Sequence, residues 1–532
     1  MDPGVIARYQ RRMADESPTK RLGPANEVGL LHPAPRRGVV PLKVQEFKDD
    51  SGKVARRVVR LSLKEAIMRA LANSPEIQVL SFDPAISREE MTSAAAAFDV
   101  VVFGEYSHAK SHEATDIFFM ANRSDTRSLE LGARQLLPTG AQWTVTWDHT
   151  RSWDNAGLGI FSTEFEPSVS LEITQPLLRG GWFDFNLGRL RIARLGHKSS
   201  LESFRELVEQ TVGNTHLAYW RLHQARREVK IQENLLAKTE ETFARVLERA
   251  KGGLDAHKVH IKQAESAAAS RRADLIRAKK RIDDAQDQLG LLLADPQINV
   301  LGEYEIVPTT AMSDIRVRVD AADQLAAALR HSPALEQARL AIRMAAIEIK
   351  VARSETLPRL DVTASRTSQG LHGLRGQAYR MLRHDRFSSY TLGLEFEYPI
   401  GNRGPRAELR RARLVKRQAV ARFQDTADQV AVVVRERVRQ VAAVWAELQQ
   451  QRSAVAAGKM ELEALEDTEK IRGVLSPEFL QLKLSAQERL AAAERAELQA
   501  LVDYNSAMVE LRQVTGTLLD LPDVKVLLPA AE

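Results

Sequence analysis

The chain has 532 residues, of which 44 % are hydrophobic and 27 % charged, and its formal net charge is +6. That length and apolar content exclude a compositionally disordered chain and leave room for more than one packed unit. The absence of cysteine excludes disulfide frameworks, cysteine-ligated zinc, thiol nucleophiles and lipidation at an N-terminal cysteine. No apolar run approaches the roughly 18–20 residues of a membrane-spanning helix. Phosphate loops, nucleophile elbows and zinc-protease helices are also missing, so neither an enzyme nor a cofactor is expected.

Met1 to Gly23 is basic and lacks an apolar core, and reads as no signal peptide. Residues 1–61, rich in Pro, Arg and Gly, read as an extended arm. A helix is expected from Ser62, with Glu65 three residues on as in a capping box. Phe98 to Tyr106 alternates loosely, as a strand would. Leu129 to Leu136 and Gln142 to Thr150 flank Leu137-Pro138-Thr139-Gly140, which predicts a hairpin. Val169, Leu171 and Ile173 alternate with Ser170, Glu172 and Thr174, the period-2 pattern of a strand with one wet and one dry face. From Asn186 to Lys251 no proline interrupts a helical pattern of about 65 residues, or roughly 95 Å. A run of that length suggests a coiled coil or helical repeat. It ends at Gly252-Gly253 and restarts near Asp255. After a linker, 301–319, the cycle returns. Strands are expected at Leu360 to Ser365 and Tyr390 to Tyr398, and a second proline-free run from Ala407 to Leu475 breaks at Gly473. The next helix starts at Ser476-Pro477, with proline in its favoured first position. Residues 521–532 read as a tail.

The two halves repeat. AIMRALANSPEIQVL (Ala66 to Leu80) returns as QLAAALRHSPALEQA (Gln324 to Ala338), so Ser74-Pro75 matches Ser332-Pro333. VSLEITQPLLRGG (Val169 to Gly181) returns as TLGLEFEYPIGNRG (Thr391 to Gly404), matching the strand-end prolines Pro176 and Pro399. LRIARL (Leu190 to Leu195) returns as LRRARL (Leu409 to Leu414). The repeats therefore span 62–300 and 320–520. The first carries about 35 more residues between its Ser-Pro and its strand-end proline, which is where the hairpin, about 125–152, falls.

This order of elements, twice over, resembles the TolC-type outer membrane efflux proteins. The resemblance is carried by Gln175-Pro176-Leu177 with Gly180-Gly181, by GVLSPEFLQLKLSAQERL (Gly473 to Leu490) and by the closing Tyr504 to Thr517. It implies a mixed α and β fold of two repeats, with a long α-helical barrel, or tunnel, and a transmembrane β-barrel completed by a homotrimer. It also implies an outer-membrane location with a periplasmic extension. The partners implied are a periplasmic adaptor (membrane fusion) protein, an inner-membrane transporter and outer-membrane lipid. The function implied is passive export in tripartite efflux or type I secretion. The competing reading is a soluble coiled-coil scaffold associated with nucleic acid, although no aromatic platform or reader motif accompanies the charge.

Three groups of residues are candidates. In the family, the helix breaks form the periplasmic entrance. Here they give Gly252, Gly253 and Asp255, and Gly473, Ser476, Glu478 and Gln481. The family's usual aspartates are not matched, and only Glu478 supplies charge after the second break. A ring of three carboxylates, one from each copy, would favour cations; otherwise Asp255 and Ser476 serve as helix N-caps. The second group is the basic cluster that opens each long helix. Arg189, Arg191, Arg194 and Lys198 recur in kind as Arg410, Arg411, Arg413, Lys416 and Arg417. They either meet lipid phosphate where strand passes into helix or form a solvated face. The third is His257 and His260, which read as an exposed helical pair rather than a metal site.

Overall fold

The computed structural model describes residues 44–48, 54–114, 121–155, 160–251, 258–295, 298, 304–472 and 476–520. Gly252, Gly253, Asp255, His257 and Gly473 lie outside the described residues, as do the tail 521–532 and the arm before residue 44. Strands β1 (Val44–Lys48) and β2 (Val54–Leu61) lead into helices α1 (Leu63–Asn73), α2 (Pro75–Leu80) and α3 (Phe82–Ala95). The capping box forms: Glu65 N–H donates to Ser62 Oγ at 3.3 Å and Ser62 N–H donates to Glu65 Oε2 at 2.9 Å. Strands β3 (Val101–His112), β4 (Arg123–Leu136), β5 (Gln142–Asp154) and β6 (Thr163–Pro176) follow. A short helix α4 (Trp182–Asn186) then precedes α5 (Gly188–Lys251) and α6 (Lys258–Leu293).

The second half holds β7 (Tyr304–Pro308), α7 (Ala321–His331), α8 (Pro333–Glu355) and β8 (Arg359–Gln369). After these come α9 (Arg375–Arg383), β9 (Phe387–Glu397), α10 (Arg403–Arg472) and α11 (Pro477–Val514). Helices α5 and α10, of 64 and 70 residues, are each about 100 Å long. Helix α8 lies between them toward the strands, and α11 lies between them on the other side, where α6 flanks α5. Buried residues recur along α10 at heptad intervals: Val434, Val441, Leu448, Val455 and Leu462.

Two departures from the sequence reading stand out. Parts of the arm and of the linker pair with each other: β2 runs parallel to β7 and antiparallel to β1. VARRVVRL has no clean period-2 pattern, yet it forms a strand at the waist of the long helices, with Val59 and Leu61 buried and Arg57 and Arg60 exposed. There Leu61, Ala66, Ala70, Tyr219, Trp220, Leu222, Leu289, Leu293 and Ile306 form the largest core cluster. Each fully buried Leu or aromatic contributes about 1.5–3 kcal/mol. Tyr219 fixes the junction, its hydroxyl donating to Leu61 O at 3.0 Å and accepting from Thr310 N–H at 2.9 Å. The first strand of the large sheet also begins later than expected, at Val101, because Ala96–Phe98 forms a 3-10 turn.

The large sheet has six strands, all antiparallel, in the order β3-β4-β5-β6-β8-β9. The hairpin β4–β5 is built into the sheet between β3 and β6. Each of its strands pairs along its length on both sides. The outer edges, β3 and β9, are of 12 and 11 residues and each pairs on one side only among the described residues.

Candidate functional site: a two-faced sheet on a helical tunnel

Antiparallel partners share a face, so the register assigns every strand residue to one side. One row runs Gly104, Leu131, Trp147, Val169. The next runs Val102, Ala133, Val145, Leu171, Arg366, Tyr390, and the next Trp143, Ile173, Ala364, Leu392. Leu394 and Phe396 complete the band. The band is interrupted on β8, where Arg366 pairs with Asp385 at 2.5 Å and the Val169 row runs on to Ser368 and Ser388. Val102, Tyr106, Leu392, Leu394 and Phe396 are each at least 65 % exposed. A contiguous apolar band of this extent is not left to water.

The opposite face is polar. Glu105, Glu130 and Asp148 stand side by side in one row, with Thr146, Ser170 and Thr367 in the row beside it. Like charges directly opposite one another repel across a ladder. A water-filled space with counter-ions relieves that repulsion, whereas a packed core would not. This face was legible strand by strand in the sequence, but the carboxylate row depends on register.

The strand-to-helix junctions use the repeated prolines. Pro176 ends β6, and Gln175 Nε2 donates to Pro176 O at 2.7 Å and to Thr139 O at 3.2 Å. Trp182 N–H also donates to Thr139 O, at 2.8 Å. The turn of the inserted hairpin is thereby tied to the chain leaving the sheet. Gly140 there has φ +88, and a Cβ on it would meet Gly180 O and the Asn186 side chain, so glycine is required. In the second repeat, Asn402 N–H donates to Pro399 O at 3.2 Å and the Asn402 side chain donates to Thr356 O at 2.8 Å.

Just past these junctions lie the basic clusters, on the two helices that flank α8. Arg189, Arg194, Arg410, Arg411 and Arg413 are exposed and Arg191 is half-buried. Arg191 pairs with Asp184 at 2.8 Å, and Lys350 of α8 reaches the same carboxylate at 3.2 Å. The hydrogen bond from Arg191, then that from Lys350, holds Asp184 below the usual carboxylate range. Arg411 pairs with Glu408 at 2.7 Å, which raises its pKa. Both clusters thus have acidic neighbours, and the remaining arginines point outward.

At the far end, Ser476 caps α11, its Oγ accepting from Phe479 N–H at 3.2 Å, with Pro477 in the first turn. Glu478 and Gln481 are exposed in that first turn. Hydrogen bonds from its own backbone N–H and from Ser476 push the Glu478 pKa down, so it is ionised at neutral pH. His260 is buried, unlike the exposed pair expected from sequence. Among the described residues no three His, Asp or Glu side chains gather as a metal set.

Sequence reasoning also missed the buried cations behind this tip. Arg271 of α6 donates to Leu484 O at 2.9 Å, to Gln487 Oε1 at 3.3 Å and to Thr239 Oγ1, tying α5, α6 and α11 together. Burial pushes its pKa down. Lys483 of α11 pairs with Glu469 of α10, and both are buried. Their positions within otherwise unremarkable charged stretches gave no signal. Beside them a groove of about 700 Å³ opens between α6 and α11, lined by Lys258, Lys262, Arg271, Gln481 and Glu488 among others.

The chain thus sets a two-faced antiparallel sheet on the ends of very long helices. Residues 325–517 match the outer membrane efflux protein family, which places that domain on the second repeat. Three solved structures with the same fold are outer-membrane channels. OprN is 14 % identical, with 86 % of this chain and 90 % of that one covered and a TM-score of 0.63. CmeC of Campylobacter jejuni is 15 % identical, covering 86 % of each chain, with a TM-score of 0.60. MtrE of Neisseria gonorrhoeae, solved in its open state, is 15 % identical, covering 86 % and 89 %, with a TM-score of 0.61. At these identities the likeness is one of fold. No curated protein matches the chain in sequence.

Proposed function

We propose that three copies of this chain form a passive export conduit through an outer membrane and the space beneath it. The observation that carries this is the six-stranded sheet, apolar on one face, polar on the other and open at both edges. Lipid tolerates no open strand edge, and one six-stranded sheet is too narrow to close on itself around a lumen. Pooling sheets from three copies, six strands each, joins every β3 to a neighbour's β9 and gives eighteen strands. The apolar band then faces lipid and the row of Glu105, Glu130 and Asp148 faces water. Among the described residues no helix is long and apolar enough to cross a membrane; in this reading the two-faced strands make the crossing.

In this reading α5, α6, α10 and α11 continue the duct away from the membrane. The breaks at Gly252, Gly253 and Asp255, and at Gly473, Ser476, Glu478 and Gln481, form its entrance, where an adaptor docks and an inner-membrane transporter supplies energy. Glu478, ionised and exposed, gives three copies a ring of carboxylates that favours cations. The arginines at Arg189, Arg191, Arg194, Arg410, Arg411 and Arg413 lie at the membrane surface nearest the tunnel.

The test is to express the full gene, fractionate the cells and record single channels from the purified trimer in planar bilayers. A heat-sensitive trimer in the outer membrane and a cation-selective pore support the reading. Replacing Glu105, Glu130 and Asp148 by their amides should move the reversal potential toward zero selectivity. Recovery in the soluble cytosolic fraction would sink the conduit and favour a scaffold.

A further inference from the structure

We propose that a cationic collar at the loop end of the apolar face binds the phosphate groups of lipid headgroups in the adjacent leaflet. The inference rests on the conduit reading, because it requires that face to meet lipid.

The collar has two sources. On the strands, the row past Tyr106 and Leu129 runs His108, Arg127, Arg151, Phe165, all on the apolar side, with Lys110 in the row beyond. On the second repeat, α9 supplies Arg375, Arg380 and Arg383, all exposed. Helix α9 is held against this same face. The Tyr379 hydroxyl meets His149 Nδ1 at 3.1 Å, and their rings stack with centroids 5.5 Å apart. Gly370 lets the helix approach, since a Cβ there would collide with Ala378 O. The cations of both repeats therefore sit on one side of one sheet.

Three observations point to lipid phosphate. First, the level is marked: Trp147, His149, Phe165 and Tyr379 stack across the boundary from the apolar band to the collar row, where an aromatic belt meets headgroups. Second, the charge is unbalanced. On this face beyond the aromatic level the described strand residues include one carboxylate, Asp125, shared among His108 at 3.2 Å, Arg127 at 3.4 Å and Lys110 at 3.7 Å. Asp385, after α9, is occupied by Arg366. Arg127 and Arg151 are direct cross-strand neighbours, a repulsive pair unless an anion lies over both. Third, α9 is built as an interfacial helix. Its arginines are flanked by Leu374, 65 % exposed, and by Phe387, 50 % exposed, so apolar and cationic groups reach the same boundary. Arg presents a planar fork that suits phosphate.

The probe is lipid A, a phosphorylated glycolipid, carried in phosphatidylcholine vesicles into which the full chain is folded. Retention on the released trimer is read by native mass spectrometry. The wild type should retain lipid A in preference to its dephosphorylated form, and millimolar inorganic phosphate should not displace it. Replacing Lys110, Arg127, Arg151, Arg375, Arg380 and Arg383 by Gln should weaken retention at least ~tenfold, since each cation near a charged headgroup counts for about a factor of five. If that chain folds poorly, Arg375→Gln with Arg380→Gln and Arg383→Gln, confined to the surface of α9, should show a smaller loss. Unchanged retention in either variant, or equal retention of dephosphorylated lipid, would overturn the collar while leaving the conduit standing. Displacement by free phosphate would make it an anion site instead. Failure of the wild type to insert into vesicles would remove both.

Discussion

The two repeats share a skeleton and differ in what interrupts it. In the first, the extra residues are spent inside the sheet: β4 and β5 separate β3 from β6. In the second, β8 and β9 pair directly, and the extra element between them, α9, lies on the sheet's apolar face. An insertion between strands thus widens the wall or decorates it. Which occurs depends on whether its residues alternate. Gln142 to Asp154 alternate, so they join the ladder; RGQAYRMLR has a helical spread of arginines, so it does not.

That contrast is most sharply broken at Gly140, where the inserted turn meets the chain leaving β6. Gly140→Val forces a β-branched residue into positive φ and drives a side chain toward Gly180 O and Asn186. The conformational cost alone is about 1–3 kcal/mol, before the collision. The proposed trimer should be lost or reduced to traces. Gly376→Val, in α9, meets nothing within 4 Å and should leave it assembled. A Gly140→Val trimer that is as heat-stable as the wild type would show that the hairpin is not part of the wall.

The waist is the second difference. Arg69 of α1 forms a buried pair with Asp295 at the end of α6, while the matching position of the second repeat is Ala327. Removing one partner leaves a buried charge, which costs about 3–5 kcal/mol. Asp295→Ala should lower the urea midpoint far more than any single substitution at Ala327. Replacing both Arg69 and Asp295 by apolar residues should recover much of the loss.

A third contrast depends on pH. Glu209 of α5 is 2 % exposed, whereas the matching stretch of α10, 430–432, reads Val-Ala-Val. Burial pushes the Glu209 pKa up to about 7, despite Arg205 at 3.2 Å. A carboxyl raised in the folded state stabilises the fold below its ordinary pKa and loses that stability as pH rises from 4.5 through about 7. The wild type should therefore be less stable at pH 8 than at pH 5 by up to about 3 kcal/mol from this group. Glu209→Gln should flatten the difference. A stability profile from pH 5 to 8 that is the same in both chains would contradict it.

How much of this was readable beforehand follows from the same comparison. The repeat, the long helices and the alternation of β5, β6 and β9 were legible because each is a local pattern. Pairings between distant segments were not: β2 with β7, the carboxylate row of Glu105, Glu130 and Asp148, and the collar that joins Arg151 to Arg375 all depend on register. The basic clusters at Arg189 and Arg410 were conspicuous as runs. The collar was hidden because its cations are spread over three strands and a helix.

The smallest difference is at the repeated serine itself. Ser74 and Ser332 both end one helix and begin the next, both precede proline at the first helical position, and both are buried. Ser74 Oγ accepts from Ile77 N–H at 3.4 Å, while the Ser332 side chain makes no capping bond. After Ser74 the chain turns again at Ser81 to start α3, whereas after Ser332 α8 continues unbroken to Glu355. The side-chain cap is thus present where the following helix is six residues long and least able to hold itself, and absent where it is 23. Ser74→Ala should cost about 1 kcal/mol, and Ser332→Ala less than half of that, read as urea midpoints at one pH. Equal losses would mean that the serines are kept for the packing of their small side chains and not for capping.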